Sequence, residues 1–262
     1  MNFKLDPIKR LAFFLIMMAC IASYFQLGMP LLWHALASIG FGAFLHTLYT
    51  LASKKPKNTA NMLITVLLIF LLLHPTIENI PLTLLATFFA ITIKFFVSWK
   101  GSPIVNPTVA GLLMATGSIL AFNAISGATH ALPFVSWWGT DFQGYLSLGL
   151  LALWVLGGLN IWRKWWLIGV FLLAMALFML LRGLPLETLQ YAFTHSTLYF
   201  LATVMLVDPK TSPMTRKTQI VYALVAALSY NLYSHFGISY FELFAIATAN
   251  LSWAAMRRVK FV

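Results

Sequence analysis

The sequence predicts an all-α polytopic membrane protein, and three observations lead to this class. Of the 262 residues, 61% are hydrophobic and only 9% are charged, whereas a soluble globular domain carries about 25% charged residues. Apolar runs of about 20 residues, the length that a bilayer-spanning helix needs, recur along the whole chain. All but one of the 17 Lys and Arg residues stand between these runs or at their ends. This distribution excludes an ordinary soluble enzyme and gives no single basic patch for nucleic acid.

Ten such runs fit the sequence as a single membrane domain over residues 1–262. They cover residues 8–27, 30–52, 60–77, 81–99, 106–122, 142–162, 164–182, 190–207, 217–236 and 239–257. Prolines stand at or near several boundaries, where the missing N–H costs little: Pro30, Pro81, Pro107, Pro133 and Pro213. The first run has no convincing cleavage site before or after it, so we expect an uncleaved helix.

The distribution of Lys and Arg predicts the orientation, because cytoplasmic loops carry an excess of both. One side of the predicted membrane collects Lys4, Lys9, Arg10, Lys54, Lys55, Lys57, Lys100, Arg163, Lys164, Lys210, Arg216, Lys217, Arg257, Arg258 and Lys260. The opposite side has only Arg182, and Lys94 lies within the fourth run. Both termini should therefore face the cytoplasm, and the loops 123–141 and 183–189 should face outward.

Two segments five runs apart are similar. The third run ends in LLLHPTIENIP and the eighth ends in VMLVDPKTSP. An inverted repeat of five plus five helices would place such segments on opposite sides of the membrane. A chance match accounts for segments this short equally well.

Three polar segments could support chemistry. The outward loop contains Asn123 to His130, where Gly127 would supply an unusual backbone angle and the hydroxyls would satisfy local backbone groups. The alternative is that Thr129 is an exposed hydroxyl that accepts a covalent modification. In the segment 207–216, Asp208 would satisfy nearby N–H groups or pair with Arg216. In the segment 100–108, Asn106 and Pro107 occupy plausible helix-cap positions.

Four motifs in order carry a family resemblance: NPTVAG after the fourth run, SGAT in the outward loop, DPKTSPMT after the eighth run, and SYFELFAIATAN in the last run. The set resembles the NqrB/RnfD family, whose members are membrane components of Rnf electron-transport complexes and of the sodium-pumping NADH:quinone reductase. The likeness is to the RnfD branch of that family. The similarity in motif order covers roughly residues 55–258. It implies a ten-helix protein of the bacterial cytoplasmic membrane.

The resemblance also implies a cofactor. In that family, the last Thr of SGAT carries FMN through a phosphoester bond that a separate flavin transferase forms outside the membrane, and Thr129 is the matching position. Relatives hold a second, non-covalent flavin (riboflavin) and work with other membrane proteins of the same complex, and quinone is a candidate partner. The family commonly has an acid three residues before the Ser, where this chain has Asn123. The implied cofactor-binding candidates are Thr129, Ser126, Gly127, Ala128, Asn106, Asp208, Ser212, Thr215, Lys94 and Glu242.

Ionisable residues at membrane depth are functional candidates because burying them is costly. Lys94 near the cytoplasmic end of its run either snorkels to the headgroups or contacts a flavin or quinone. Glu242 is interfacial or buried and paired, and the resemblance adds a role in a cation path or flavin site. Asn231, Thr248 and Asn250 are predicted to form helix–helix hydrogen bonds.

The histidines and the single cysteine restrict which other redox cofactors the chain could hold. A b-type haem needs two imidazoles facing each other across a bundle. His34 and His46 share one run without a matching pair, so we expect single interfacial histidines. The single Cys20 excludes an intrachain disulfide and a cluster held by Cys ligands of this chain alone.

The sequence therefore predicts a membrane flavoprotein subunit that relays electrons within or across the membrane, with coupled Na⁺ or H⁺ movement left open. Two alternatives stay open. Ten helices with an inverted repeat suit a transporter or channel for a small solute equally well. Asn123 in place of the usual acid favours an assembly subunit that has lost its flavin.

Overall fold

The structure, a computed structural model, describes residues 7–25, 29–54, 59–74, 76–99, 102–127, 135, 149, 152, 154, 155, 163–194 and 196–258. Most of these residues are helical. The α-helices are α1 (Pro7–Phe25), α2 (Met29–Ser53), α3 (Thr59–Leu72), α4 (Ile80–Phe96), α5 (Pro107–Ser126), α6 (Trp165–Leu181), α7 (Leu186–Thr194), α8 (Ser196–Phe200), α9 (Arg216–His235) and α10 (Phe241–Arg258). A 3₁₀ turn (Ile77–Asn79), a π-helical segment (Leu201–Met205) and two short paired strands, β1 (Ser98–Trp99) and β2 (Ser102–Pro103), complete them.

Two described helices are long and apolar enough to cross a membrane. They are residues Leu32–Ser53 of α2, with 22 residues, and α5, with 20. Helices α3, α4 and α6 are apolar but shorter. The helical class is confirmed in these residues, and membrane association has this support. The full set of ten spans and their orientation stay predictions.

Most predicted runs match a helix within a few residues, and two differ. The run 60–77 is helical only to Leu72, three residues before Pro75, because the residue preceding a proline disfavours helical backbone angles. Within the run 190–207, the winding changes from α to π over Leu201–Met205, where the Leu206 N–H donates to the Leu201 carbonyl at 2.9 Å. Most of the run 142–162 lies outside the described residues.

The chain divides into two compact units, residues 1–98 with 107–139, and residues 99–106 with 140–262. In the first unit, α3 packs against α1, α2, α4 and α5 and is buried along most of its length. Leu45, Met62, Val66, Ile91 and Phe95 form a core between α2, α3 and α4.

Helices α4 and α5 approach each other closely at Gly111. A Cβ built on Gly111 would lie 2.5 Å from the Ala86 carbonyl oxygen and 2.7 Å from the Ala90 Cβ. A residue without a side chain is therefore needed at this crossing, since membrane helices gain their association energy from such close packing.

In the second unit, α9 packs against both α6 and α10. Its buried face carries small residues beside one large one, Tyr222, Ala223, Ala226 and Ala227. The small side chains let the backbones approach, and Tyr222 brings a hydroxyl into the interior. The polar network described below is built around that hydroxyl.

Candidate functional site

Helix α5 ends at Ser126, the first residue of the SGAT motif. The sequence predicted a loop from Asn123, but Asn123 to Ser126 form the last turn of α5, so that boundary was wrong. The helix continues because Gly127 provides the stop: its φ is +69°, and its N–H donates to the Asn123 carbonyl at 3.0 Å. Left-handed glycine is a common helix terminator. The predicted unusual backbone angle of Gly127 is confirmed.

Ser126, the last residue of α5, is exposed, and its Oγ donates to the Phe122 carbonyl at 2.7 Å, as expected for a locally satisfied hydroxyl. A Cβ built on Gly127 would meet no described residue within 4 Å. Ala128 and Thr129 lie outside the described residues.

The DPKTSP segment forms a tight turn organised by Asp208. Its carboxylate accepts hydrogen bonds from the Lys210 N–H at 3.1 Å and the Thr211 hydroxyl at 3.0 Å. Its carbonyl accepts from the Ser212 hydroxyl at 2.7 Å. Of the two roles predicted for Asp208, the capping of nearby N–H groups is confirmed. The Arg216 guanidinium lies instead over the Trp166 ring, 3.6 Å from its centroid.

Asn250 of α10 connects three of the four motifs. Its Oδ1 accepts from the buried Asn106 N–H at 2.8 Å, and its Nδ2 donates to the Thr211 carbonyl at 3.2 Å and the Tyr222 hydroxyl at 2.6 Å. Asn250 and Tyr222 are fully buried. One side chain therefore positions the residue before α5, the DPKTSP turn and α9. The predicted helix–helix role of Asn250 is confirmed, and so is that of Thr248, which bonds Tyr233 at 2.8 Å.

Asn231 has the same kind of role. Its Nδ2 lies 3.3 Å from the Met175 sulfur on α6 and donates to the Ala227 carbonyl at 2.9 Å. Its backbone carbonyl accepts from Arg182 at 3.2 Å. The predicted helix–helix contact of Asn231 is therefore confirmed.

Lys164, counted in the sequence among the loop cations, is fully buried. Its Nζ donates to the Ser212 Oγ at 3.0 Å, to the Ser212 carbonyl at 3.4 Å and to the Pro213 carbonyl. Burial lowers the pKa of Lys164 to about 8, and the negative charge of Asp208 opposes this shift. Lys164 thus attaches the start of α6 to the DPKTSP turn.

Gln219 reinforces the same junction. Its Oε1 accepts from the Leu167 N–H at 3.3 Å, and its Nε2 donates to the Arg163 and Met214 carbonyls at 3.2 and 3.0 Å. Thr215, in the segment 207–216, occupies the N-cap position of α9. Its hydroxyl bonds the Thr218 hydroxyl at 2.6 Å and does not bond a backbone N–H of the helix. These contacts give Ser212 a buried structural position and leave Thr215 exposed.

Lys94 is held by a neighbouring helix. Its Nζ donates to the Thr65 Oγ1 at 2.8 Å and to the Asn61 carbonyl, both on α3. Snorkelling to the headgroups and contact with a flavin or quinone both stay predictions. Thr108 at the start of α5 also contacts Thr65, with 3.5 Å from its Oγ1 to the Thr65 carbonyl. Ser126 stands 18 residues further along α5, about 27 Å away at 1.5 Å per residue, so Lys94 and the Gly127 end lie far apart.

Glu242 lies in the first turn of α10 and is half-buried. The preceding Phe241 packs edge-on against Tyr230 of α9, with ring centroids 4.8 Å apart. Eight residues separate Glu242 from Asn250, about 12 Å along the helix. Glu242 is therefore remote from the Asn250 network, and the structure does not bring all predicted candidates together.

His34 and His46 lie inside the first unit. Both are buried, His34 fully, because hydroxyls and aromatic rings of neighbouring helices enclose them. His74 is half-buried and His235 is exposed, while His130 and His195 lie outside the described residues. Within the described ranges, no three His, Cys, Asp or Glu side chains are grouped as metal ligands.

Sequence analysis missed Lys164, Gln219 and Tyr222 as members of the polar network. Arg163 and Lys164 are adjacent and chemically alike, yet one is exposed and the other is buried. No feature of the sequence separates them. In comparisons with known proteins, no family model and no curated protein matches the chain.

Proposed function

We propose that this chain is a membrane flavoprotein subunit that relays electrons, with FMN attached through a phosphoester to Thr129. The observation that carries the proposal is the end of α5, an apolar helix of spanning length that stops at an exposed Ser126 and a left-handed Gly127. The attachment hydroxyl follows two residues later in the sequence. The ordered motifs that resemble the NqrB/RnfD family supply the chemistry.

Attachment requires an activated phosphate. The Thr129 hydroxyl would lose its proton and form the new P–O bond, while the pyrophosphate bond of a flavin dinucleotide breaks and releases the nucleoside monophosphate. A separate flavin transferase would catalyse this exchange. Bound FMN would supply one- and two-electron redox chemistry.

The chain's own residues would hold and orient the attachment site. Gly127 ends the helix without a side chain, which leaves space for the group and for the transferase. Asn250 fixes the residue before α5 against the DPKTSP turn and α9, so one buried amide joins these three parts of the second unit. Electron donor, quinone and a second flavin would come from partner proteins or from helices outside this network.

Covalent flavin is testable on a gel. The full chain is co-expressed with a flavin transferase, denatured, and viewed under ultraviolet light beside Thr129→Val. We expect a fluorescent band that the variant lacks. Ser118→Ala on the same helix is the matched control, since this hydroxyl lies outside the motif and donates to the Met114 carbonyl at 2.8 Å, and it should keep the fluorescence. Two dark bands would overturn the covalent site.

A solute transporter is the second candidate, and the π-helical segment favours it. Leu201–Met205 are all buried, and the Thr203 carbonyl accepts from the buried Trp154 indole at 3.0 Å. π-Helical turns are frequent at functional sites, and transporters bind substrate at irregular helices. Solute flux in proteoliposomes without an electron donor, from a chain that lacks flavin, would favour this function.

A further inference from the structure

His34 occupies a polar position inside the first unit. The side chain is fully buried in α2, and its ring packs edge-on against Phe70 of α3, with centroids 5.7 Å apart. Its Nδ1 lies 3.3 Å from the Thr76 carbonyl oxygen and its Nε2 lies 2.6 Å from the Thr83 Oγ1. Both ring nitrogens therefore have a polar neighbour on an element that packs against α2.

The hydrogen-bonding chemistry restricts the protons of this ring. A carbonyl oxygen only accepts, so Nδ1 must carry a hydrogen. The Thr83 hydroxyl has one hydrogen and two acceptors within reach, the His34 Nε2 and the Asn79 carbonyl at 3.0 Å. When this hydrogen bonds Nε2, the imidazole is neutral. When it bonds Asn79, the hydroxyl oxygen accepts a hydrogen from Nε2, and the ring is a cation.

Both states keep His34 fully hydrogen-bonded. The neutral ring donates to Thr76 and accepts from Thr83, and the cation donates to both. The two states differ by one proton on Nε2 and one rotation of the Thr83 hydroxyl. A buried group normally tolerates only one protonation state, because the other leaves a polar atom without a partner.

We propose that His34 is a buried proton-binding site, at which Nε2 takes up a proton from water and releases it while the Thr83 hydroxyl rotates between Nε2 and Asn79. The ligand is a proton, and the site does not depend on flavin. A proton site inside a helix of membrane-spanning length is a candidate station for proton movement, since charge at that depth is costly unless a protein stabilises it.

The charged and titratable groups around this site are few among the described residues. His74 follows α3 and is half-buried, and Glu78 lies exposed in the 3₁₀ turn. Lys94 is on the same helix as Thr83 but 11 residues further on, about 16 Å away. Burial is therefore the main penalty that a cation at His34 must overcome, and the electrostatic effect of His74 adds to it.

Nitrogen NMR of the full chain in lipid bilayers tests the proposal. The protein carries ¹⁵N-labelled His, and the His34 signals are identified as those that the variant His34→Gln lacks, because His46 and His235 also contact Phe rings. Spectra are recorded from about pH 4 to pH 9, around the usual His pKa of about 6.5. We expect two protonated ring nitrogens at low pH and a bare Nε2 at high pH.

Two substitutions on α4 separate the mechanism from a general effect on folding. Thr83→Val removes the hydroxyl that accepts from Nε2, so proton binding should weaken about tenfold, and Thr83→Ser should restore it. Thr87→Val, one turn further on, removes a buried hydroxyl that has no partner among the described residues, and should titrate like the wild type. The proposal would be refuted by any of three results. These are a ring that keeps one protonation state over the whole pH range, an Nδ1 that carries no hydrogen, and a Thr83→Val variant whose His34 titrates as in the wild type.

Discussion

Gly111→Ala should separate α4 from α5. The new Cβ would lie 2.5 Å from the Ala86 carbonyl oxygen and 2.9 Å from the Ala90 backbone nitrogen, so no side-chain rotation relieves the contact. Reaching an ordinary contact of 3.4 Å requires α5 to move by about 0.9 Å. A gap of about that size forfeits a quarter to a half of each dispersion contact at the interface, and overpacking of this kind costs about 1–3 kcal/mol.

The matched control is Gly117→Ala on the same helix, where a Cβ meets nothing within 4 Å. Alanine gains about 1 kcal/mol of helix propensity at either position, so this gain cancels when the two variants are compared. We expect the free energy of unfolding of Gly111→Ala in detergent to lie about 2 kcal/mol below that of Gly117→Ala. Equal stabilities would refute the close approach of α4 and α5.

Three further predictions use buried or terminal polar groups. Lys164 has a pKa of about 8 in the folded chain, against 10.5 in the unfolded chain, so the unfolded chain binds more protons between these pH values. The free energy of unfolding should therefore rise with pH over that window, by up to about 3 kcal/mol. In a pH series of unfolding curves, Lys164→Met should abolish this rise. Thr83→Val should cost about 1–3 kcal/mol of stability, because it removes bonds to His34 and Asn79, while Thr87→Val should be neutral or stabilising in the same assay. Asn123→Asp should raise the fluorescent fraction per mole of protein on the gel, although an acid near the C-terminus of α5 costs about 0.5 kcal/mol; Asn123→Gln should leave that fraction unchanged.

The sequence was informative where the determinants are local. Proline at residue 107 marks the start of α5, and Gly127 has the unusual backbone angle that was predicted for it, because backbone angles and missing donors act within one turn. The amides and hydroxyls of α9 and α10 were recognised as interhelical groups, because a polar side chain in an apolar helix needs a partner.

The sequence was uninformative about features that depend on tertiary packing. The different fates of Arg163 and Lys164 depend on where the DPKTSP turn lies, which no spacing reveals. His34 looked like one of several isolated histidines until Thr76 and Thr83 were placed around it. The loop boundary at residue 123 was wrong because the composition of the last turn of α5 is equally typical of a polar loop. Thr129 itself lies outside the described residues, so its role stays a prediction.

The Asn250 network has a consequence for biosynthesis. Asn106 and Asn250 are 144 residues apart, and a ribosome adds about 5–20 residues per second. The Asn106 N–H must therefore wait roughly 7–30 s for the Asn250 amide, which arrives only with α10. A chain truncated before α10 would lack the side chain that accepts from this N–H and donates to the Tyr222 hydroxyl. Assembly of this part of the second unit therefore has to follow the synthesis of α10 and cannot proceed strictly in chain order.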